Sequence, residues 1–176
     1  SNITEPLIER DPNTGDLQPL LATEWRQASP NEWTFKVRDG VTFSDGAPFT
    51  AEDAAFSIDR AVNSELQCNV DGYVFGDDPL DVSAPDDKTV IVGTKTPDPI
   101  LPLRISFVEI VPRTTSTTEK VREPIGTGPY AIENWEYGQN LTLRRNDTYW
   151  GPEPAFARAE YQWRSEGSVR AAMITN

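Results

Sequence analysis

Proline and glycine set the first limit on what this chain can fold into. Fifteen prolines and eleven glycines punctuate its 176 residues so closely that short strands and short helices are expected rather than a helical bundle. The length fits one compact domain or two small lobes. No apolar run is long enough to cross a bilayer as a helix, and no charged segment followed by an apolar stretch opens the chain as a secretory leader would.

Within that punctuation the clearest periodic signal lies at residues 32–38. Trp33, Phe35 and Val37 alternate with Thr34, Lys36 and Arg38, the pattern of a half-buried strand. Asp39-Gly40 makes a tight turn, and Val41-Thr42-Phe43 reads as its hairpin partner, with a second turn at Ser44-Asp45-Gly46. The turn cluster at residues 11–16 leads into residues 17–25, where Pro19 suits a first helical turn and predicts a short helix or 3₁₀ turn. Residues 51–62 predict a longer helix. Thr50 can cap it, and Glu52 and Asp53 put negative charge where the helix dipole favours it. Ala54, Ile58 and Ala61, widened by Ala55 and Val62, form an apolar face that packs on a sheet, while Phe56 points elsewhere.

Residues 63–79 read as a solvated acidic excursion with no assigned secondary structure. Residues 80–84 and 89–94 predict two strands joined by the turn at 85–88, and the apolar run at 100–108, with Pro99 at a first-turn position, tilts toward a helix. Residues 130–135 and 140–146 predict another hairpin. A last alternating stretch carries Ala159, Tyr161 and Trp163, and residues 168–175 start a helix that the chain end cuts off. The expectation is an α+β fold of mostly antiparallel strands with a few short helices.

Composition removes several functions. Sixteen Lys and Arg against 28 Asp and Glu give a formal charge of −12, too little basic surface for nucleic acid; Arg144-Arg145 reads as a solvated strand face. Histidine is absent, which removes Ser-His and Cys-His nucleophile arrangements and His-ligated zinc. The single cysteine, Cys68, excludes an internal disulfide and a four-cysteine cluster, and leaves the redox compartment open.

Individual motifs offer little chemistry. Gly126-Thr127-Gly128-Pro129 is glycine-rich like a phosphate loop, yet it runs into a strand and lacks a terminal Lys-Ser/Thr. Gln67, Asn69, Asp71, Gly72 and Asp78 fall on a calcium-loop template, but Gln67 replaces the first carboxylate and Asp78 the bidentate Glu. Asp77-Asp78 and Asp86-Asp87 are neighbouring turn residues that point apart into water, with no apolar pocket to split their pKa values. Asn140-Leu141-Thr142 and Asn146-Asp147-Thr148 match the glycosylation sequon, which matters only in a eukaryotic secretory host. The plentiful aromatics sit mainly on strand faces, as core residues do. By chemistry alone the chain reads as a binding module or part of one.

Three segments together resemble the family 5 extracellular solute-binding proteins of ABC importers, the peptide, oligopeptide and nickel class. The first is Leu20-Leu21-Ala22-Thr23-Glu24-Trp25 with Trp33-Thr34-Phe35-Lys36-Val37-Arg38-Asp39-Gly40-Val41-Thr42-Phe43-Ser44-Asp45-Gly46, continuing through Pro48-Phe49-Thr50-Ala51-Glu52-Asp53 and Phe56-Ser57-Ile58-Asp59-Arg60-Ala61. The second is Gly126-Thr127-Gly128-Pro129-Tyr130, then Asn146-Asp147-Thr148-Tyr149-Trp150-Gly151. The third is Arg170-Ala171-Ala172-Met173, similar to the helix after the last strand of the family's first lobe.

The resemblance implies that residues 1–176 are a partial N-terminal lobe of a longer two-lobe, periplasmic-binding-protein-like protein. It implies the substrate-binding component of an ABC importer, capturing peptides or oligopeptides outside the cytoplasmic membrane and delivering them to a permease. Closure of two lobes on the ligand would be the mechanism. It further implies a monomer, periplasmic or extracellular, with or without a lipid anchor on the full-length protein. No enzymatic activity, cofactor, metal or nucleic acid is expected. Residues 103–108 are the expected cleft wall, with Ser106 and Phe107 as ligand-binding candidates. Three readings stay open beside this one: a nickel chelate or oligosaccharide as the solute, a stand-alone interaction domain using this lobe, and an enzyme.

Overall fold

The computed structural model describes residues 2–66, 74–76, 78–164 and 167. Along the chain lie β1 (Ile8–Arg10), β2 (Leu17–Pro19), β3 (Ala22–Ser29), β4 (Glu32–Val37), α1 (Ala51–Asn63), β5 (Asp81–Asp86), β6 (Thr89–Gly93), α2 (Leu101–Ile105), β7 (Tyr130–Glu136), β8 (Asn140–Arg145) and β9 (Arg158–Gln162). Every strand pairing among them is antiparallel, in sheets of order β1-β2, β3-β4-β6-β5 and β7-β8-β9. The α+β expectation is met.

The alternation at residues 32–38 becomes the central strand β4. Its register sets Phe35 between Trp25 of β3 and Val90 of β6, and Trp33 between Gln27 and Val92. Phe35, Val90 and Val92 are buried, and the helix α1 closes this face with Ala51, Ala54 and Ile58. α1 begins as its sequence predicts, but Asp53 does more than complement the dipole. One carboxylate oxygen accepts the Thr50 N–H at 2.9 Å and hydroxyl at 3.0 Å, and the other accepts the Arg113 N–H at 3.0 Å. The buried Ser57 hydroxyl accepts the Val111 N–H at 3.0 Å, and Arg60 donates to the Ser116 carbonyl at 2.7 Å. The polar side of α1 therefore straps down residues 111–116, which lead toward the second sheet.

Four expectations need correction. Residues 17–25 are two strand pieces, β2 and the start of β3, joined by a bend at residues 20–21, not a helix. The Leu7 carbonyl accepts the Ala22 N–H at 2.8 Å, and Pro19 ends β2 opposite Ile8 in a two-stranded ribbon, where a missing N–H is tolerated. Val41-Thr42-Phe43 does not pair with β4, whose neighbours are β3 and β6. It folds forward instead, Phe43 N–H to the Ala47 carbonyl at 2.8 Å and Phe49 N–H to the Val41 carbonyl at 3.0 Å, around Ser44-Asp45-Gly46. The helix in residues 100–108 covers only Leu101–Ile105, with Pro102 rather than Pro99 in its first turn. The acidic excursion is pinned by Phe75, which is buried in the main core with the Arg104 guanidinium 4.9 Å above its ring. The helix expected at residues 168–175 lies outside the described residues.

The extended segment at residues 2–7 joins the two larger sheets. Ile110 N–H donates to the Glu5 carbonyl at 3.0 Å, Gly128 N–H to the Ile3 carbonyl at 2.8 Å, and Tyr130 N–H to the Asn2 carbonyl at 2.9 Å. The backbones meet so closely that a Cβ on Gly126 would overlap the Ile3 carbonyl oxygen, and one on Gly128 would stand 2.8 Å from the same atom. Glycine is required at both positions for space, not for φ. Gly126→Ala is expected to cost about 3 kcal/mol through forced backbone displacement, lowering Tm by roughly 6–12 °C for a chain of this size. Gly40 is the control. It has φ 73° and open space within 4 Å of where a Cβ would stand, so Gly40→Ala bears only the left-handed backbone cost of about 1–2 kcal/mol. Thermal denaturation of the two variants side by side checks the order.

Candidate functional site

Two loops that the sequence singled out converge on one carboxylate. Glu5 is 3% exposed. Its Oε2 accepts the Thr127 hydroxyl at 2.8 Å and the Trp150 indole N–H at 2.9 Å, and its Oε1 accepts the Tyr149 hydroxyl at 3.0 Å. Neutral donors from the Gly126-Thr127-Gly128 turn and from Tyr149-Trp150 thus fill both oxygens, which is how a carboxylate can be taken out of water at tolerable cost. The donors are themselves fixed. Asn146, 4% exposed, donates to the Gly128 carbonyl at 3.0 Å and accepts the Thr148 N–H and hydroxyl at 3.2 and 3.0 Å. The Arg38 guanidinium lies 4.4 Å from the Trp150 ring centroid while its Nε donates to the Leu20 carbonyl at 3.0 Å, so the first large sheet also reaches this cluster.

Burial pushes the Tyr149 hydroxyl well above its usual range, and the negative charge and hydrogen bond of Glu5 push it further. Tyr149 stays a donor through the neutral range. A buried carboxylate with both oxygens accepting from such donors ties segments together. The turn pair Asp86-Asp87 is equally unsuited to acid chemistry: the Thr89 hydroxyl and then the Lys88 N–H hold Asp86 below the usual carboxylate range. The Asn146 side chain is buried and donates to the Gly128 carbonyl, so it is not presented to a glycan-transferring enzyme. Of the calcium template, Gln67, Asn69, Asp71 and Gly72 lie outside the described residues, and Asp78 is exposed. Among the described residues no group of three or more His, Cys, Asp or Glu could hold a metal.

The expected cleft wall sits immediately ahead of the Glu5 contact. The short helix α2 is held from below: Arg104 pairs with Asp98 and donates to the Val74 carbonyl at 2.8 Å, and Trp33 Nε1 donates to the Asp98 carbonyl at 3.0 Å. Ile100 before the helix is 58% exposed and Phe107 after it 51%, whereas Leu101, Ile105 and Val108 between and beyond them are buried. The Ser106 hydroxyl donates to the Leu103 carbonyl at 2.7 Å, so its proton is spent locally while its lone pairs remain. The two named candidates therefore stand side by side, Ser106 with its proton engaged and Phe107 with its ring half exposed. A second open surface lies on the β7-β8-β9 sheet, a cavity of about 490 Å³ lined by Asn2, Ile3, Leu141, Leu143, Tyr161 and neighbouring Gln162 and Trp163.

Sequence reasoning did not find Glu5. The available signal was indirect, in that Thr127, Tyr149 and Trp150 gather neutral donors within two short motifs and leave their acceptor unnamed. That acceptor lies more than a hundred residues away in the chain.

Comparison with known proteins gives this arrangement its context. Residues 16–176 match the family described as bacterial extracellular solute-binding proteins, family 5 Middle. Protein XP55 of Streptomyces lividans is 31% identical over 99% of this chain and 33% of its own length. The nickel-binding periplasmic protein of Escherichia coli is 29% identical, covering 97% of this chain and 34% of that one. The periplasmic oligopeptide-binding protein OppA of Salmonella typhimurium is 29% identical, covering 85% and 32%. The crystal structure of a putative peptide binding protein, AppA, from Clostridium difficile superposes with a TM-score of 0.86 at 23% identity, covering 99% of this chain and 38% of that one. The chain spans about a third of the length of these relatives.

Two outcomes follow from the carboxylate cluster. Glu5→Leu leaves three donors facing an apolar group and should destabilise by about 3–5 kcal/mol, measured by urea unfolding. Because the folded pKa of Tyr149 is raised above its unfolded value near 10, its contribution is complete below pH 10 and is lost as pH rises beyond it. The difference in stability between the parent and Tyr149→Phe should be flat up to pH 10 and shrink above it.

Proposed function

The chain belongs to the family 5 bacterial extracellular solute-binding proteins, and we propose on that premise that it is the first-lobe part of an ABC importer's peptide- or oligopeptide-capturing component. Residues 1–176 then supply one wall of a cleft, and the remainder of the protein supplies the other. Contacts from both sides favour closure, and the closed monomer hands its cargo to a membrane permease. Such a protein works outside the cytoplasmic membrane, in the periplasm or extracellularly, with a lipid anchor on the full-length protein where the host requires one. It acts by binding rather than turnover.

The observation that carries this reading is the exposure of Ile100 and Phe107 at either end of a firmly anchored α2. Two apolar side chains held open on a rigid element suit the side chains and aliphatic stretches of a peptide, and the Ser106 lone pairs beside them suit a peptide N–H. The 29% identity to an oligopeptide-binding relative supports the same solute class. The similarly matched nickel-binding relative favours a second reading, a small metal chelate. Absence of histidine does not count against it, since a chelator can carry the metal.

Calorimetric titration of the full-length protein with short peptides separates these outcomes. Phe107→Ala should weaken peptide binding about tenfold, roughly 1.4 kcal/mol, with Tm unchanged because the ring is half exposed. Ser106→Ala should weaken it less. Unchanged affinity in Phe107→Ala would remove α2 from the cleft, and heat released by a nickel chelate but by no peptide would select the second reading.

A further inference from the structure

The chain leaves α2 through a last turn, Val108 N–H to the Ile105 carbonyl at 3.0 Å. It then runs extended beside residues 5–6, with Glu109 opposite Pro6 in an isolated antiparallel bridge and Ile110 N–H on the Glu5 carbonyl. Burial alternates along this stretch. Val108 and Ile110 enter the core, whereas Phe107 and Glu109 are exposed, so the ring and the carboxylate open to the same side of the wall. Two glutamates thus lie at one seam in opposite states. Glu5 has both oxygens filled by three neutral donors. Glu109 receives a hydrogen bond from the Thr4 side chain, and among the described residues no Lys or Arg forms an ion pair with it. One side of it meets solvent, yet the surrounding protein removes part of its water. That burial pushes its carboxyl above the usual carboxylate range; the Thr4 hydrogen bond and the amino-terminal charge act against the shift, and the charge of Glu5 adds to it.

We propose that Glu109 is a binding residue of the cleft wall and selects solutes that carry a cation, an ammonium or a guanidinium, beside an apolar group. This rests on the reading of α2 as the cleft wall. A carboxylate partly removed from water, with no basic side chain beside it, is an unfavourable arrangement in the empty protein, and a bound cation relieves it. The hydrogen bond formed is charge-assisted, hence shorter and stronger than one between neutral groups. Phe107 adds to the same preference, because the face of an aromatic ring attracts a cation, while exposed Ile100 takes the apolar part of the solute. Selection also works by exclusion. Glu5 behind the wall and Glu109 on it present two negative charges, which repel a carboxylate or phosphate at this place. Arg104, the basic residue of α2, does not offset them, since its guanidinium pairs with Asp98 and donates to the Val74 carbonyl.

Calorimetric titration of the full-length protein with matched short peptides tests this: one with a free amino end and neutral side chains, its N-acetylated form, and the N-acetylated form carrying a lysine. The parent should bind at least one of the two cationic peptides about tenfold tighter than the neutral one, and whichever it is identifies the source of the cation. Glu109→Gln, whose amide can still accept the Thr4 hydrogen bond, should remove that preference while changing the affinity for the neutral peptide less than about twofold. Glu109→Asp should retain part of it. Equal affinity for cationic and neutral peptides in the parent overturns the inference, as does a preference that survives Glu109→Gln. A loss shared equally by all three peptides, the mark of a merely structural role, overturns it too. If Phe107→Ala weakens peptide binding while Glu109→Gln leaves the preference intact, the wall stands and this inference falls; if no peptide binds the parent, both fall.

Discussion

A buried carboxylate is the constraint from which the rest of this fold is organised. Removing Glu5 from water would be prohibitive without partners, and each hydrogen bond to a charged group contributes about 1.5–3 kcal/mol. The three donors found, from Thr127, Tyr149 and Trp150, come from loops flanking the β7-β8-β9 sheet, while Glu5 itself belongs to the segment that leads into β1. Satisfying this one side chain therefore brings together chain segments separated by more than a hundred residues. The glycines at 126 and 128 follow from it, because the turn must approach the Ile3 backbone closely enough for Thr127 to reach the carboxylate.

The same seam fixes α2, the proposed cleft wall. Residues 109–110 run beside residues 5–6, with Ile110 donating to the Glu5 carbonyl, so the short helix before them is held at the junction. α1 reinforces the junction through Asp53 and Ser57, whose bonds to Arg113 and Val111 strap the connecting segment to the first sheet. Apolar side chains presented by α2 thus stand on a support fixed from several directions. Preorganisation of that kind is what a binding wall needs.

Local order was legible and distant order was not. The hairpins of β5-β6 and β7-β8 arise from contacts between near neighbours, and the alternation around Phe35 and the apolar stripe of α1 are local periodicities that mark a buried face without naming its distant partners, so all of these are written in the sequence. Residues 17–25 misled because Pro19 suits either a first helical turn or the end of an edge strand, and the deciding partner, the backbone of Leu7 and Ile8, is not signalled locally. Asp39-Gly40 likewise marks a turn without saying which segment will pair across it. Of the site, Ser106 and Phe107 could be named from the resemblance, but their different states, one hydroxyl proton spent on Leu103 and one ring left open, appear only in three dimensions. Phe75 was hidden in an acidic stretch whose composition argued for water.

On this reading the chain is one side of a two-sided binder, supplying only part of the contacts that hold solute. Ligand that binds the native state raises its melting temperature by mass action, so the direct measurement is a thermal melt of this chain beside the full-length protein, each with and without a mixed pool of short peptides. A cooperative melt in both, with a peptide-dependent rise in the full-length protein alone, is the result predicted. An equal rise in the 176-residue chain would contradict the need for a second wall, and no rise in either would contradict peptide as the solute.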